Sequence, residues 1–164
     1  MKTLILLRHG KASQHTSQEK DHDRTLKKRG QRNAAEMGEK LRKEGLMPQR
    51  IFSSTAERAK QTAELARSGG DLKPEIEYFR ELYHAAPETY LEVASEHAGD
   101  EDKILLVGHN PGMEDLVSHL SGERIAMPTA GMAVMECELK DWTGLSQLKR
   151  ARLKHFWIPE DDED

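Results

Sequence analysis

The 164-residue chain contains a single cysteine, Cys137. One cysteine can form no disulfide within the chain and cannot build a cysteine-based metal cluster. Cys137 lies in the alternating stretch from Met132 to Leu139. This pattern favours a packed strand position over a catalytic thiol.

The chain also lacks an excess of basic charge and a long apolar segment. Lys and Arg number 25 against 29 Asp and Glu, which gives a formal net charge of -4. This balance does not favour binding to nucleic acid or to an anionic membrane surface. The N-terminal apolar run is too short for a membrane span or a signal peptide. We therefore expect a cytoplasmic protein.

Two short aliphatic segments each lead into a histidine that has a glycine beside it. Leu4 to Leu7 is followed by Arg8-His9-Gly10, and Lys103 to Val107 is followed by Gly108-His109. Ligands bind at the carboxyl edge of the strands in open α/β sheets. Either histidine alone is compatible with an ordinary residue that closes a strand. Their repetition favours one pocket that contains both imidazoles.

The remaining pattern alternates strands with helices. It predicts a three-layer αβα sandwich around a mostly parallel central sheet, with an antiparallel pair at the end. We expect residues 1–158 to form one domain and the acidic residues 159–164 to be disordered. The predicted strands are 4–7, 50–54, 75–79, 103–107, 131–139 and 150–157, and the predicted helices are 27–45, a segment ending near 68–70, 87–96 and 113–120.

Arg8, His9 and Gly10 together suit phosphate chemistry. The guanidinium of Arg8 offers a planar fork of donors for two phosphate oxygens, and Gly10 would let the backbone pass close to a ligand. A neutral imidazole is a nucleophile, and we expect neighbouring arginines to lower the pKa of His9 and keep it neutral. Its other ring nitrogen needs a carbonyl to hold it in place.

Two further residues complete the candidate site. Arg58 is predicted in the first turn of the helix after the second strand, for which Ser54 or Thr55 is the expected cap. An arginine there is unfavourable for the helix dipole, which suggests an anionic ligand, although a solvated side chain is the alternative. His109 would donate to a phosphoryl oxygen in the transition state, or else be a buried histidine bonded to a carbonyl.

The ordered set of motifs resembles the histidine phosphatase superfamily and, within it, the SixA-type phosphohistidine phosphatases. The resemblance covers residues 2 to about 157. Its motifs are Arg8-His9-Gly10-Lys11-Ala12, Asp21-x-Asp23-Arg24-x-Leu26-x-x-Arg29-Gly30, Ser-Ser-x-x-x-Arg58-x-x-Gln-Thr-Ala and Gly108-His109-Asn110-Pro111.

This resemblance implies a phosphoglycerate mutase-like fold and a mechanism. His9 would accept the phosphoryl group as a phosphohistidine intermediate, which water then hydrolyses. Arg8, Arg58 and His109 would hold the three equatorial oxygens and supply the charge that Mg²⁺ gives in other phosphoryl transfers. No metal or other cofactor is implied. A metal site on His9 and His109 is disfavoured because no close ligand cluster accompanies them.

The chain departs from the wider superfamily at the proton donor. Many members have a carboxylate two residues after a Leu that follows the third strand. Here Leu82-Tyr83-His84 places His84 at that position, and Glu81 lies just before. His84 and Glu81 are therefore the candidate proton donors. The lack of a carboxylate at this position fits an imidazole leaving group, which can depart as a neutral group after protonation.

The short loops predict an open site that accepts a phosphorylated side chain of another protein. Gly10, Asp23, Arg24 and Asn110 are the candidate substrate-binding residues, although Asp23 and Arg24 could instead cap the next helix. The leading prediction is a monomeric phosphatase of protein phosphohistidine whose pocket binds phosphate or a mimic. The alternatives are a phosphatase of small esters, phosphoserine or phosphothreonine, and a non-catalytic phosphate-binding module.

Overall fold

The computed structural model describes residues 1–14 and 16–160. Within them lie six strands and four α-helices. The strands are β1 Lys2–Arg8, β2 Arg50–Ser54, β3 Ile76–Phe79, β4 Lys103–Gly108, β5 Met132–Cys137 and β6 Arg152–Trp157. The helices are α1 Lys28–Lys43, α2 Glu57–Gly70, α3 Pro87–His97 and α4 Gly112–Ser121, and short 3-10 turns lie at Asp21–Asp23, Arg80–Leu82 and Trp142–Gln147.

The six strands form one sheet in the order β3-β2-β4-β1-β5-β6. Neighbouring strands from β3 to β1 run parallel, whereas β5 and β6 are each antiparallel to the strand before them in the sheet. The predicted mostly parallel sheet with an antiparallel end is confirmed. In the β1–β4 pair, Arg8 lies opposite Gly108. The histidines that follow these two residues therefore emerge side by side.

Helices cover both faces of the sheet, which explains the continuous apolar run in β1. Leu4 and Leu6 pack with residues of α3 and α4 on one face, and Ile5 and Leu7 pack with residues of α1 and α2 on the other. All four side chains are fully buried. A strand buried on both faces needs apolar residues at every position. The predicted three-layer arrangement is confirmed.

Cys137 lies buried in β5 as predicted, and burial raises the pKa of its thiol to about 12.

The helix caps differ from prediction. The cap residue of α2 is Ala56, without a side-chain cap bond, and the backbone N–H of Ala56 donates to Ser54 Oγ. Lys27 precedes α1 without a side-chain cap. Asp23 and Arg24 therefore do not cap that helix.

No helix among the described residues has both the length and the apolar composition that crossing a bilayer requires. The domain boundary at residue 158 stays a prediction. Most of the predicted disordered tail, residues 161–164, lies outside the described residues. Glu160, which belongs to the predicted tail and is described, donates its backbone N–H to the carboxylate of Glu36.

Candidate active site

The carboxyl edge of the sheet brings together the four residues that the sequence singled out. Arg8 ends β1 and His9 follows it, His109 follows β4, and Arg58 lies in the first turn of α2. The ring centroids of His9 and His109 are 5.2 Å apart. His9, Arg58 and His109 are buried and Arg8 is half-buried. Two imidazoles and two guanidinium groups thus share one site.

A backbone carbonyl holds the ring of His9. Its Nδ1–H donates to Gly10 O at 2.8 Å, so in the neutral ring Nε2 carries the free electron pair. The pKa of His9 is lowered to about 3, first by burial and then by the charges of Arg58, Arg8 and Arg24, while the bond to Gly10 opposes the shift. The sequence argument credited the arginines, but burial is the larger cause because the folded chain removes water from the ring. His9 is neutral and nucleophilic near pH 7.

His109 is held by its backbone and by one ring nitrogen. Its backbone N–H donates to Tyr90 Oη at 3.0 Å, and its Nε2 lies 2.8 Å from Ser54 Oγ. Its Nδ1 is buried without a hydrogen-bond partner. Burial, followed by the charge of His9, lowers the pKa of His109 to about 2. The ring therefore has one unused nitrogen within the site.

Three buried nitrogen atoms around His9 lack hydrogen-bond partners among the described residues: Arg8 Nε, Arg58 Nε and His109 Nδ1. The outer nitrogens of the arginines are partly occupied, since Arg8 Nη1 donates to Met127 O and Arg58 Nη1 donates to Asp21 O. Buried donors without partners are rare in folded proteins. Arg8 Nε and Arg58 Nε are donors, and His109 Nδ1 is a third when it carries the ring proton, so the three are candidate partners for the acceptor oxygens of a ligand.

Asp21 is the main residue that the sequence analysis missed. Its carboxylate accepts hydrogen bonds from Arg58 Nη2 at 3.0 Å, Arg24 Nη1 at 2.9 Å and Tyr83 Oη at 2.5 Å. Burial raises the pKa of Asp21, but these three hydrogen bonds outweigh it and hold the pKa well below its usual range. Asp21 is therefore ionised at neutral pH and positions Arg58.

Asp23 and Arg24, two of the candidate substrate-binding residues, have different surroundings in the structure. Arg24 donates to Ser13 O and to Asp21, and its charge acts on His9, so it lies beside the site. Asp23 is largely exposed, and its carboxylate is 3.9 Å from His22 Nδ1. Of these two residues, only Arg24 is tied to the groups that surround His9.

Gly10 and Asn110 both make contacts within the protein, and their assignment to the substrate stays a prediction. The N–H of Gly10 donates to Thr62 Oγ1, and a Cβ on Gly10 would lie 2.7 Å from Gly30 O. The backbone of Gly10 therefore approaches that of Gly30 closely. The amide nitrogen of Asn110 donates to Glu114 and Met127, and its oxygen accepts from the Glu114 N–H.

The two candidate proton donors differ in position. His84 Nε2 lies 3.4 Å from Asp21 Oδ2, and the His84 ring centroid is 6.1 Å from that of His109. Glu81 is exposed and has no hydrogen bond or ion pair among the described residues. Only His84 is close to the site.

Residues 1–14 and 16–160 contain no group of three or more His, Cys, Asp or Glu side chains arranged to bind a metal.

Acidification below about pH 6 should destabilise the substrate-free protein through His9 and His109. Their pKa values are lowered in the fold to about 3 and about 2, so the unfolded chain binds more protons as the pH falls. Each histidine then removes up to about 1.4 kcal/mol of unfolding free energy per pH unit. Urea unfolding in phosphate-free buffer at about pH 7 and pH 5 measures this loss.

The matched variant for this measurement is His109→Gln, which cannot take up the proton. It should lose less unfolding free energy between the two pH values than the parent does. An equal loss in both proteins would show that His109 does not titrate on unfolding.

A family model described as "Histidine phosphatase superfamily (branch 1)" matches residues 4–84. An uncharacterised chloroplastic protein of Arabidopsis thaliana is 32% identical over 148 residues, which cover 85% of this chain and 68% of that protein. An uncharacterised protein of Mycobacterium leprae is also 32% identical, over 85% of this chain and 89% of its own length.

Solved structures share the fold over almost the whole chain. A protein provisionally described as the phosphohistidine phosphatase SixA of Agrobacterium tumefaciens has a TM-score of 0.82 and 30% identity, covering 96% of this chain and 98% of its own. The protein histidine phosphatase SixA in complex with tungstate has a TM-score of 0.75 and 21% identity, covering 94% and 95% of the two chains. The second likeness is one of fold alone.

Proposed function

Because the chain belongs to the histidine phosphatase superfamily, we propose that it is a metal-independent phosphatase that removes the phosphoryl group from phosphohistidine on a protein. The family membership and the fold support a phosphatase. The phosphohistidine substrate and the roles of the individual residues are the proposal, and they rest on the geometry of the site.

His9 performs the first step in this proposal. Its Nε2 attacks phosphorus, the new N–P bond forms, and the N–P bond to the substrate imidazole breaks. The leaving nitrogen takes up a proton and departs as neutral histidine. In the second step water attacks the phosphohistidine on His9, which releases inorganic phosphate and regenerates the neutral ring. The carbonyl of Gly10 holds the ring in the same orientation through both steps.

The unpaired nitrogens of Arg8, Arg58 and His109 are the observation that carries the proposal. In the transition state of its transfer, a phosphoryl group has three equatorial oxygens over which negative charge is spread. Preorganised donors in a water-poor site stabilise such charge strongly, because no reorganisation is needed when the reaction occurs. Three buried donors without protein partners match three oxygens, and the two guanidinium groups supply positive charge.

The state of Asp21 favours a substrate whose leaving group needs little acid catalysis. Its hydrogen bonds keep it ionised, so it cannot give a proton to an alkoxide at neutral pH. Glu81 is exposed and makes no hydrogen bond or ion pair among the described residues. An imidazole departs far more easily than an alkoxide. We assign the proton transfer to His84, whose side chain is 60% exposed beside the site and can exchange protons with water.

A protein substrate is supported by the accessibility of this edge. The His84 side chain beside the site is 60% exposed, so a phosphorylated side chain of a partner can approach from solvent. A SixA protein of the same fold binds tungstate, a mimic of phosphate, which supports binding of phosphate by this chain. The monomeric state and the cytoplasmic location stay predictions.

A direct comparison of substrates tests the proposal. The phosphatase should hydrolyse a protein carrying phosphohistidine with a kcat/KM on the order of 100-fold above that for phosphoserine in the same protein, because the poorer leaving group lacks a carboxylic acid donor. Release of inorganic phosphate is measured in parallel for p-nitrophenyl phosphate, with and without a metal chelator.

Each other outcome selects a different function. Equal turnover of the phosphoserine protein or of small esters would favour a general phosphatase and contradict the phosphohistidine preference. Phosphate binding without any turnover would indicate a non-catalytic module. Loss of activity with the chelator would contradict metal independence.

A further inference from the structure

We propose that Ser54 is a positioning residue that fixes the tautomer of His109, so that the proton of the neutral ring sits on Nδ1 and points into the site. The inference concerns the substrate-free protein. It deepens the proposed function, because the donor for a phosphoryl oxygen would then be Nδ1–H, but its primary test does not require that function.

The buried hydroxyl of Ser54 has few possible hydrogen-bond partners. The side chain is fully buried, so its hydroxyl proton cannot be donated to bulk water. Ser54 Oγ has two neighbours within hydrogen-bond distance among the described residues, the backbone N–H of Ala56 at 3.2 Å and His109 Nε2 at 2.8 Å. A backbone N–H can only donate, so it uses one lone pair of the hydroxyl oxygen.

The hydroxyl proton is therefore left with one acceptor, His109 Nε2. If Nε2 carried its own proton, two hydrogens would face each other and a buried hydroxyl would lose its only acceptor. Leaving a buried hydroxyl without its acceptor is strongly unfavourable. With Nε2 as the acceptor, the neutral ring must be protonated at Nδ1. This is the atom that is buried without a partner.

The local chain order keeps the hydroxyl in this place. Ser54 is the last residue of β2, which runs parallel to β4 with Ser53 opposite Val107, and His109 follows β4 directly. Tyr90 Oη accepts from the backbone N–H of His109 at 3.0 Å and fixes the start of the side chain. His109 is thus held through its backbone N–H and through Nε2, and its Nδ1 has no hydrogen-bond partner.

A neutral His109 with Nδ1–H can donate to an oxyanion without first taking a proton from solvent. Burial of the ring and the charge of Arg58 oppose a positive charge on His109. The Ser54 hydroxyl supplies the preference for one of the two neutral tautomers, which burial alone does not decide. Ser54 therefore acts through His109 and does not touch the substrate.

The experiment is a two-dimensional ¹H–¹⁵N NMR spectrum of the imidazole nitrogens in substrate-free, phosphate-free protein near pH 7. The His109 signals are assigned by their loss in His109→Gln. We expect Nδ1 with the shift of a protonated nitrogen and Nε2 with that of an unprotonated nitrogen. The reverse pattern in the parent protein would overturn the proposal without any variant of Ser54.

Ser54→Ala and Ser53→Ala form a matched pair for the second readout. Ser53 is also fully buried, but its hydroxyl donates to Ser54 O and does not contact His109. In Ser54→Ala the His109 nitrogens should shift toward the other tautomer, and kcat should fall roughly 10- to 100-fold with little change in KM, the order of effect that supporting partners of a functional imidazole have. Ser53→Ala should keep the parent tautomer and kcat.

Ser54→Cys separates positioning from packing, because a thiol fills the site but is a weak donor. It should fold like the parent and show intermediate NMR shifts. An unchanged His109 spectrum in Ser54→Ala would overturn the proposal, and so would an equal loss of kcat in Ser53→Ala. If the protein is not a phosphatase, kcat cannot be measured, but the NMR spectrum still reports the tautomer of His109. Failure of the proposed function is therefore distinguishable from failure of the proposed role of Ser54.

Discussion

His9→Ala is expected to lower kcat on the phosphohistidine protein by at least about 10⁴-fold, because removal of a catalytic nucleophile has effects of this size or larger. The variant keeps the unpaired donors of Arg8, Arg58 and His109. It should therefore still bind inorganic phosphate. Steady-state phosphate release measures kcat, and isothermal titration with phosphate measures binding.

His119→Ala is the matched control, since His119 lies exposed in α4. It should retain the kcat of the parent. A His9→Ala variant that folds and keeps more than about a tenth of parent kcat would contradict nucleophilic catalysis by His9, because general stabilisation by the remaining donors cannot replace the covalent step.

Arg58→Ala is expected to lower kcat/KM by about 10²- to 10³-fold, the range seen when one preorganised oxyanion donor is removed. The Arg58 side chain is only 5% exposed, and its Nε has no protein partner. Its removal also leaves Asp21 without a guanidinium that now accounts for two hydrogen bonds. The remaining negative charge then repels the phosphoryl group.

Arg58→Lys should recover little of this loss, because an ammonium is a point charge and cannot donate to Asp21 and to a phosphoryl oxygen with the geometry of a planar fork. Arg67→Ala is the control on the same helix. Arg67 donates to the carbonyls of Pro74 and Lys73, and its loss should leave kcat/KM unchanged. Parent-like kcat/KM in folded Arg58→Ala would refute a role in phosphate binding.

Much of the fold followed from local patterns. The residues 50–54 were predicted as a strand and form β2 with the same bounds. The run of Leu4 to Leu7 predicted a strand covered on both faces because no position could face water. The convergence of Arg8, His9, Arg58 and His109 followed from a topological rule, namely that parallel strands present their carboxyl ends at one edge.

The roles that sequence reasoning could not supply depend on where individual hydrogen bonds go. Asp21 lies in a polar segment without periodicity, and only the folded loop brings it to Arg58, 37 positions along the chain. Gly10 and Asn110 stand next to the two histidines, yet their polar groups are bonded to Thr62, Glu114 and Met127. Adjacency in sequence to a functional residue does not tell which way an amide points.

Ser54 was interpreted as a helix cap for a similar reason. A serine before a helix commonly caps it, and Ser54 Oγ does accept from the backbone N–H of Ala56. Its second contact, with His109, is 55 positions away in sequence. Long-range contacts of this kind carry no local signature, so the sequence could not reveal that the same hydroxyl serves two elements.

Isolation of the phosphorylated enzyme decides whether His9 carries the phosphoryl group during turnover. The protein is mixed with a phosphohistidine protein carrying labelled phosphate and quenched in alkali, in which phosphohistidine survives, and the labelled peptide is then sequenced. The account predicts label on His9 in the parent and none in His9→Ala. Turnover that leaves no label on the enzyme at any quench time, or label on another residue, would contradict it.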